Sequence, residues 1–231
     1  KQQRYLAEAA RVACMLDFEE EVQANGFVRV AGIDEAGRGP LAGPLVAGAV
    51  VLGAPINELN DSKLLAEEQR ESLFGLLNDG SHDVGVGVVE IDELNRLGLQ
   101  AANYRAMALA VEQLREPPDF LLIDGFPLPG VVWPQKHVVK GDQRSMSIAA
   151  ASIIAKVTRD RMMVRYHDEY PEYGFHNHKG YSTGGHLDAL RRHGPCAIHR
   201  TCFGPVMEIA QGMLTFAEPE AVIEEQCEES L

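Results

Sequence analysis

The feature that most constrains the fold is a series of short apolar runs separated by stretches with helical periodicity. Strands are predicted for the runs at 27–33, 45–52, 83–91, 119–125 and 136–141. Helices are predicted for 5–24, 63–78 and 92–115, from about Ser147 to Tyr166, and over 183–193. The strands come first as a pair and then alternate with helices, which indicates an α/β fold with a mixed sheet.

Length and composition are those of a globular protein: the chain has 231 residues, 45% of them hydrophobic and 24% charged. We expect an N-terminal helical extension (1–26), a main domain that includes a C-terminal helical part (27–216), and an acidic, disordered tail (217–231). No apolar run is long enough to cross a bilayer, and the N-terminus lacks the apolar core of a secretory signal. Four scattered cysteines fit reduced thiols, so we expect a cytoplasmic protein.

Charge is distributed unevenly along the chain, whose formal net charge is −13. Residues 136–200 contain 11 Lys and Arg against 6 Asp and Glu, together with seven of the eight histidines. Residues 32–135 contain 6 basic against 16 acidic residues, and 217–231 add six glutamates. These charges can simply be spread over a solvated surface, but we favour a basic face that meets a polyanion.

Acidic residues end or follow several of the apolar runs. Asp34 and Glu35 close the first predicted strand, Asp124 closes "FLLID", and Asp142 lies in "VVKGD" before the long helix. Acids at the carboxyl ends of strands converge at the edge where α/β proteins place their sites. Four neighbouring carboxylates repel one another unless a cation neutralises them, and oxygen ligands without Cys or His favour Mg²⁺ or Mn²⁺ over Zn²⁺.

Two of these acids also have an ordinary structural interpretation. Asp142 can equally be the N-cap of the helix that follows it, and Asp124 before Gly125 can be a turn residue. Asp34 ends an apolar strand and has no basic neighbour in sequence, which makes a purely structural role harder to support. The spacing of the four acids by itself names no reaction.

Three further segments are candidate binding elements. "GRGPLAG" leads through prolines into a second strand and not into a helix, so it is a hairpin turn with an accessible backbone and not a dinucleotide-binding loop. Arg144, Ser145 and Ser147 begin the long helix, whose free N–H groups favour a phosphate. Lys179 and Tyr181 lie in a loop rich in Gly and His, where they could meet a phosphate and stack on a sugar or base, although surface packing is the alternative for Tyr181.

A fourth pattern suggests metal binding by different ligands. His193, Cys196, His199 and Cys202 recur at every third residue, and two Cys with two His are zinc ligands by type. Their spacing differs from that of the usual zinc modules, and Pro195 interrupts the helix that would align them. A zinc site is therefore the less favoured interpretation.

Several long motifs resemble the bacterial ribonuclease HII family, the type 2 ribonucleases H. They are "AGIDEAGRGPLAGPLVAGAVVL", "DSKLL" (61–65), "FLLIDG", "KGDQRSMSIAAASIIAKVTRDRMM" and "YPEYGFHNHKGYSTGGH", and they follow in order within roughly residues 28–207. The resemblance implies an RNase H-like fold: a five-stranded mixed sheet flanked by helices, with a C-terminal helical part. The predicted N-terminal helix is similar to an extension found in some members.

The resemblance also implies a function. It implies an endoribonuclease that hydrolyses the RNA strand of RNA–DNA hybrids and incises 5′ to ribonucleotides embedded in duplex DNA. It implies catalysis with two Mg²⁺ or Mn²⁺ ions in the active complex, which leaves 3′-hydroxyl and 5′-phosphate ends. The catalytic, metal-binding acids of the family fall on Asp34, Glu35, Asp124 and Asp142.

Substrate-binding positions of the family are matched as well. Its Gly-Arg-Gly motif would read the ribose 2′-hydroxyl through the backbone, its tyrosine would stand at the RNA–DNA junction, and three further residues would meet phosphates. The motif falls on Gly37, Arg38 and Gly39, and the tyrosine falls on Tyr181. The three positions that would meet phosphates are Lys63, Arg144 and Ser145. Two positions depart from the family, with Asn103 in place of a common threonine and Cys202 in place of a common serine.

Other functions and partners stay open from the residues alone. A junction resolvase could use the same acids on a different substrate, and a binding module without catalysis could retain them unused. We expect a monomer without membrane association. "QGMLTF" (211–216) is similar to a sliding-clamp-binding peptide, although an ordinary helix end is the favoured interpretation.

Overall fold

The strands pair as expected for a mixed α/β fold. In the computed structural model, which describes residues 10–215, they are β1 (Val30–Ala36), β2 (Leu45–Val51), β3 (Asp83–Val89), β4 (Phe120–Asp124) and β5 (Gln135–Val138). The order across the sheet is β3-β2-β1-β4-β5. β2 is antiparallel to both β1 and β3, whereas β1, β4 and β5 are parallel to one another. The predicted five-stranded mixed sheet is therefore confirmed.

Helices cover both faces of this sheet and form a separate layer after it. They are α1 (Asp17–Ala24), α2 (Glu67–Leu77), α3 (Ile91–Leu97), α4 (Leu99–Glu112), α5 (Met146–Glu169), α6 (Phe175–His178), α7 (Gly184–His193) and α8 (Gly204–Thr215). α5 packs across β1 and β2 on one face, and α4 packs across β2 and β3 on the other. α6, α7 and α8 make the C-terminal helical part around the buried Phe175. None of the helices within residues 10–215 combines the length and the hydropathy needed to cross a membrane.

Glycines let both helices approach the sheet at backbone distance. A Cβ at Gly32 or Gly48 would overlap the backbone of α5, and a Cβ at Gly85 or Gly87 would overlap backbone carbonyls of α4. The interior of the protein is close-packed, so neither helix can withdraw to make room without opening a void. The backbones of the sheet and of these two helices therefore fix each other's positions.

Two predicted helices differ from the structure. The segment predicted as one helix over 92–115 is two, because Gly98 at φ 77° interrupts it while the helical period of the apolar residues continues across the break. The segment predicted as 5–24 is helical over 10–14, turns at 15–16 and continues as α1; residues 1–9 lie outside the described part. α1 packs on the sheet, where Val22 is buried against Val30 and Leu122.

Three further predictions concern the end of α5, the end of α8 and the C-terminal tail. α5 is longer than expected and ends at Glu169, one residue before the bend that leads into Pro171. Residues 211–215 are the last turn of α8, which agrees with the helix-end interpretation of "QGMLTF". The predicted disordered tail, 217–231, lies outside the described residues.

Candidate active site

The four predicted acids lie at one edge of the sheet. The pairing of β1 with β4 stops one residue before Asp34, so Asp34 and Glu35 continue β1 beside β2 alone. The strand runs on for one residue past Glu35, so the expectation that these two acids close it was wrong by that one position. Asp124 is the last residue of β4, and Asp142 lies in a short 3₁₀ turn just after β5. All four are thus brought to the carboxyl edge of the parallel strands.

Two of the acids, Asp34 and Glu35, have raised pKa values, and the charge of Asp124 contributes to both shifts. Burial is the largest cause that raises the pKa of Asp34 well above its usual value, and the charges of Glu35 and Asp124 raise it further. Burial also raises the pKa of Glu35; the charge of Arg38 lowers it, and that of Asp124 raises it. Arg38 donates to Glu35 through Nη1 at 3.3 Å. The cluster therefore holds more negative charge than the neighbouring protein groups neutralise.

Asp142 belongs to the same cluster and brings in a fifth acid that sequence reasoning missed. Burial raises the pKa of Asp142, the charge of Asp61 raises it further, and Lys63 opposes both. Lys63 donates through Nζ to Asp142 Oδ2 at 3.4 Å, and Asp61, itself buried, accepts from Gln143 Nε2 at 3.1 Å. The signal was present in the sequence, because Asp61 precedes Lys63 within the quoted "DSKLL".

The carboxylate oxygens of the cluster are ligands of the type that a divalent cation prefers. In this structure, however, backbone N–H groups hold two of these carboxylates by hydrogen bonds. The N–H of Glu35 donates to Asp34 Oδ1 at 2.7 Å, and the N–H of Gly141 donates to Asp124 Oδ1 at 2.6 Å. Within residues 10–215, no three His, Cys, Asp or Glu side chains form a ready-made metal site. Side-chain rotation is thus required before several carboxylates can share one ion. Clustered carboxylates with raised pKa values are the environment in which a cation relieves the most repulsion.

The sequence suggested Asp142 as the N-cap of α5 and a phosphate at the N-terminus of this helix, and the structure has other groups in both places. Ser145 and not Asp142 caps the helix, since its Oγ accepts from the N–H of Ile148 at 3.3 Å. The side chain of Ser145, which was expected to meet a phosphate, is fully buried in this structure and donates to Glu19 Oε1 at 2.6 Å. Ser147 donates to the same oxygen through both N and Oγ. A carboxylate of α1 therefore occupies the helix N-terminus that the sequence assigned to a phosphate.

Arg144 keeps its side chain at the surface beside this buried contact. Its guanidinium carbon lies 5.1 Å from the ring centre of Phe18, and Nη1 donates to the carbonyl of Val139 at 3.3 Å. Lys136 lies over the same ring at 5.0 Å and pairs with Glu21 at 2.7 Å. α1 therefore covers part of the basic segment, while Arg144 stays exposed on its rim.

The Gly-Arg-Gly turn and Tyr181 line one hollow of about 420 Å³ together with two of the acids. Gly37 has φ 100°, and a Cβ there would overlap the side chain of Arg159. A Cβ at Gly39 would lie 3.7 Å from the ring of Tyr181, so the tyrosine stands directly beside the turn. Asp34, Glu35 and Lys63 line the same hollow, which brings together residues from distant parts of the sequence.

Two buried arginines that sequence reasoning missed hold this turn in place. Arg159 donates to the carbonyls of Ala42, Pro44 and Lys179, and Arg200 donates to those of Arg38, Gly43 and Pro44. Burial lowers the pKa of Arg159 to about 10, and burial together with the charge of Arg159 lowers that of Arg200 to about 9. Both were counted in the basic segment, yet they lie 1% and 0% exposed. They support the turn and do not contribute to a basic face.

The pattern of His193, Cys196, His199 and Cys202 does not form a zinc site in the described residues. His199 Nδ1 accepts from the backbone N–H of Cys196 at 3.0 Å, and its Nε2 lies 3.0 Å from Nε2 of His186. Cys202 and His193 are exposed at the surface. Both nitrogens of His199 thus have protein partners.

Comparison with known proteins identifies relatives of this arrangement. The family model described as Ribonuclease HII matches residues 31–206. The ribonuclease HII of Geobacter metallireducens is 53% identical over 193 residues, which cover 83% of this chain and 91% of that protein.

Solved structures show the same fold. The ribonuclease H2 of Pyrococcus horikoshii OT3 superposes with a TM-score of 0.67 at 28% identity, covering 81% of this chain and 99% of that one. The RNase HII of Archaeoglobus fulgidus, solved in complex with PCNA, gives a TM-score of 0.62 at 26% identity over 76% and 95% of the two chains.

Proposed function

Because the chain belongs to the ribonuclease HII family, it is a hydrolase of the ribonuclease H type, and we propose that it cleaves RNA in RNA–DNA hybrids and 5′ to ribonucleotides embedded in duplex DNA. One observation carries the proposal. Asp34 and Glu35 of the acid cluster share a single hollow with the Gly-Arg-Gly turn and Tyr181, so groups suited to bind cations lie beside groups suited to read a sugar.

In this proposal Asp34, Glu35, Asp124 and Asp142 hold two Mg²⁺ or Mn²⁺ ions at the scissile phosphate. The chemistry that such ions supply when bound is activation of a water and stabilisation of the leaving 3′-oxygen. The protein's own part is to present buried carboxylates whose mutual repulsion is relieved when positive charge arrives. No covalent intermediate with the protein is required, and the products carry a 3′-hydroxyl and a 5′-phosphate.

Recognition of the ribose is assigned to the turn at Gly37, Arg38 and Gly39. A glycine backbone allows close approach, and the 2′-hydroxyl can both donate to and accept from peptide groups there. Support for this role comes from Arg159 and Arg200, whose bonds to the surrounding carbonyls keep the turn rigid without occupying its exposed side.

The remaining substrate contacts are proposed around this centre. We assign to Tyr181, whose ring is available because the residue is 45% exposed, stacking at the junction between the ribonucleotide and the following deoxyribonucleotide. Contacts to phosphates of the duplex are assigned to the exposed Lys63 and Arg144 and to Lys179.

The decisive experiment is cleavage of a DNA duplex with one embedded ribonucleotide, run beside a continuous RNA–DNA hybrid and a four-way junction, with Mg²⁺ and with chelator. We expect incision of the first two substrates only, 5′ to the ribonucleotide, and only with the metal. Cleavage of the four-way junction alone would support a resolvase instead. Metal-independent binding of the hybrid without any cleavage would support a binding module.

A further inference from the structure

Behind Tyr181 lies a pair of buried histidines that the proposed function does not use. His186 in α7 and His199, which follows that helix, are 0% and 1% exposed, and their Nε2 atoms are 3.0 Å apart. His186 Nδ1 lies 2.9 Å from the backbone oxygen of Tyr181, and the N–H of Cys196 donates to His199 Nδ1 at 3.0 Å. A continuous path of hydrogen bonds therefore runs from Cys196 through two imidazole rings to Tyr181.

One fixed donor sets the direction of every bond in this path. A backbone N–H can only donate, so His199 Nδ1 has no proton, and in the neutral ring the proton is on Nε2. That proton is donated to His186 Nε2, which leaves the proton of His186 on Nδ1, where it is donated to the Tyr181 carbonyl oxygen. Burial, assisted by the charge of His186, lowers the pKa of His199 to about 4, and burial also lowers that of His186. Both rings are therefore neutral at pH 7.

The loop that contains Tyr181 is held at consecutive peptide groups. The carbonyl of Lys179 accepts from Arg159 Nη1 at 3.0 Å, and that of Gly180 accepts from the N–H of Leu41 at 2.8 Å. Lys179 has φ 51°, a left-handed conformation that a residue with a Cβ keeps only where its surroundings enforce it. At the next peptide group His186 supplies a side-chain restraint in addition to the N–H of Thr183, which donates to the same Tyr181 carbonyl at 2.8 Å, so the backbone is fixed while the ring of Tyr181 stays at the surface.

We propose that His186 and His199 are positioning residues, which fix the backbone of Tyr181 so that its ring stands at the RNA–DNA junction. The inference rests on the proposed function and deepens it. It assigns the discrimination between a single embedded ribonucleotide and a continuous hybrid to a path of hydrogen bonds that lies away from the scissile phosphate. The effect is confined to substrates that contain a junction: a continuous hybrid has ribonucleotides on both sides of the cut and offers Tyr181 no junction to contact.

Three variants test this assignment in steady-state cleavage assays. His186→Leu removes the bond to Tyr181, His186→Asn keeps an amide donor near the position of Nδ1, and His193→Leu alters an exposed histidine of the same helix. For a single embedded ribonucleotide, we expect kcat to fall about tenfold in His186→Leu and less than about twofold in the other two. On a continuous hybrid, all three variants should stay within about twofold of wild type.

A double-mutant cycle separates positioning from general stabilisation. If His186 acts through Tyr181, His186→Leu causes no further loss on the single-ribonucleotide substrate once Tyr181→Ala is present. Losses that are equal on both substrates and that add to those of Tyr181→Ala would overturn the proposal, since they would mean that His186 only stabilises the fold.

The tautomers of the wild-type protein give a test that needs no variant. Long-range ¹H–¹⁵N NMR spectra should show His199 protonated on Nε2 and His186 protonated on Nδ1. Protonation of His186 on Nε2 would overturn the proposal even if His186→Leu fails to fold. A wild-type protein that cleaves neither substrate would refute the proposed function instead, and the tautomers could still be read.

Discussion

Asp34 and Asp83 are equally buried, each 5% exposed, yet they occupy opposite edges of the sheet and opposite electrostatic environments. Asp83, at the start of β3, accepts from Arg29 Nη2 at 2.6 Å and from the backbone N–H of Arg115 at 3.0 Å. Burial alone would raise its pKa, but the hydrogen bonds from Arg115 and Arg29 outweigh burial and lower it. The pKa of Asp34 is raised, because burial and neighbouring acids act in the same direction.

The difference shows that burial by itself does not distinguish a structural acid from a functional one. Asp83 has cations supplied by the chain, so the fold neutralises it. In the part of the chain that the structure describes, Asp34 has no such ion pair, and its neighbours Glu35 and Asp124 add negative charge. An acid left in this state stores unfavourable free energy that an added cation can release.

The largest expected effect is on cleavage, and it should separate the two aspartates completely. Asp34→Asn should lower kcat by at least about 10³-fold, because it removes one of the proposed metal ligands while the shape of the site is kept. Asp83→Asn should leave kcat within about threefold, since its side chain lies at the other edge of the sheet. Steady-state cleavage assays at saturating Mg²⁺ measure both. Near-normal turnover by Asp34→Asn would remove the acid cluster from the mechanism.

The second effect is stabilisation by metal. Ions that bind only the folded acid cluster should raise the melting temperature of the wild type by about 5 °C in millimolar Mn²⁺ relative to chelator. Asp83→Asn should show the same increase, whereas Asp34→Asn should show less than half of it. Differential scanning calorimetry gives the three midpoints. The same increase in Asp34→Asn as in the wild type would place the ion elsewhere.

The third effect is on stability without metal, and here the aspartates should differ in sign. Asp83→Asn should lower the free energy of unfolding by about 2 kcal/mol at pH 7, since Arg115 loses its ion pair and Arg29 keeps only the exposed Glu116, although both arginines are partly solvated. Asp34→Asn should raise the free energy of unfolding of the chelated protein, because it removes a repelled charge. Urea unfolding measures both differences.

The dependence of these differences on pH follows from the directions of the pKa shifts. The pKa of Asp83 in the folded protein lies below its value near 4 in the unfolded chain. Ionised Asp83 therefore contributes its full share to the free energy of unfolding above about pH 4, and this share is lost as the pH falls through the folded pKa. The folded pKa of Asp34 lies above the unfolded one, so its ionised form destabilises at high pH, and the advantage of Asp34→Asn shrinks as the pH falls. A stability gap for Asp83→Asn that grows below pH 4 would contradict this account.

The smallest expected effect concerns salt. Arg144 is exposed and has no acid partner among the described residues, so Arg144→Ala should reduce the slope of log affinity against log salt by about one. Arg115→Ala is the matched control, because the charge of Arg115 is already paired with Asp83 and should not change that slope. Binding to hybrid in Ca²⁺ measures both. Tyr181→Ala should instead reduce turnover on a single ribonucleotide more than it reduces binding.

The acid cluster could be predicted from the sequence because its signal is local. An apolar run that ends on an acid indicates both that a strand is present and that the acid lies at the edge of the sheet where the strand ends. It could not predict that Glu19 occupies the start of α5, since a helix N-terminus attracts any anion and the partner lies 126 residues away from Ser145. The buried Arg159 was hidden for a similar reason, because carbonyl groups satisfy it and carry no sequence signature. Gly98 interrupts a helix whose apolar period shows no break.

The order of strands in the sheet has a consequence for how the protein folds. β2 pairs antiparallel with both β1 and β3, and these three strands can associate early. β1 reaches its parallel partner β4 only across about 90 residues of chain. Closing so long a loop costs entropy before any contact repays it, so this pairing should form late. Asp34 and Glu35 belong to the early half, and Asp124 and Asp142 to the late half. The newly made chain should therefore acquire its complete set of acids only in its last folding step, and in refolding experiments Mn²⁺ binding should lag behind the recovery of secondary structure.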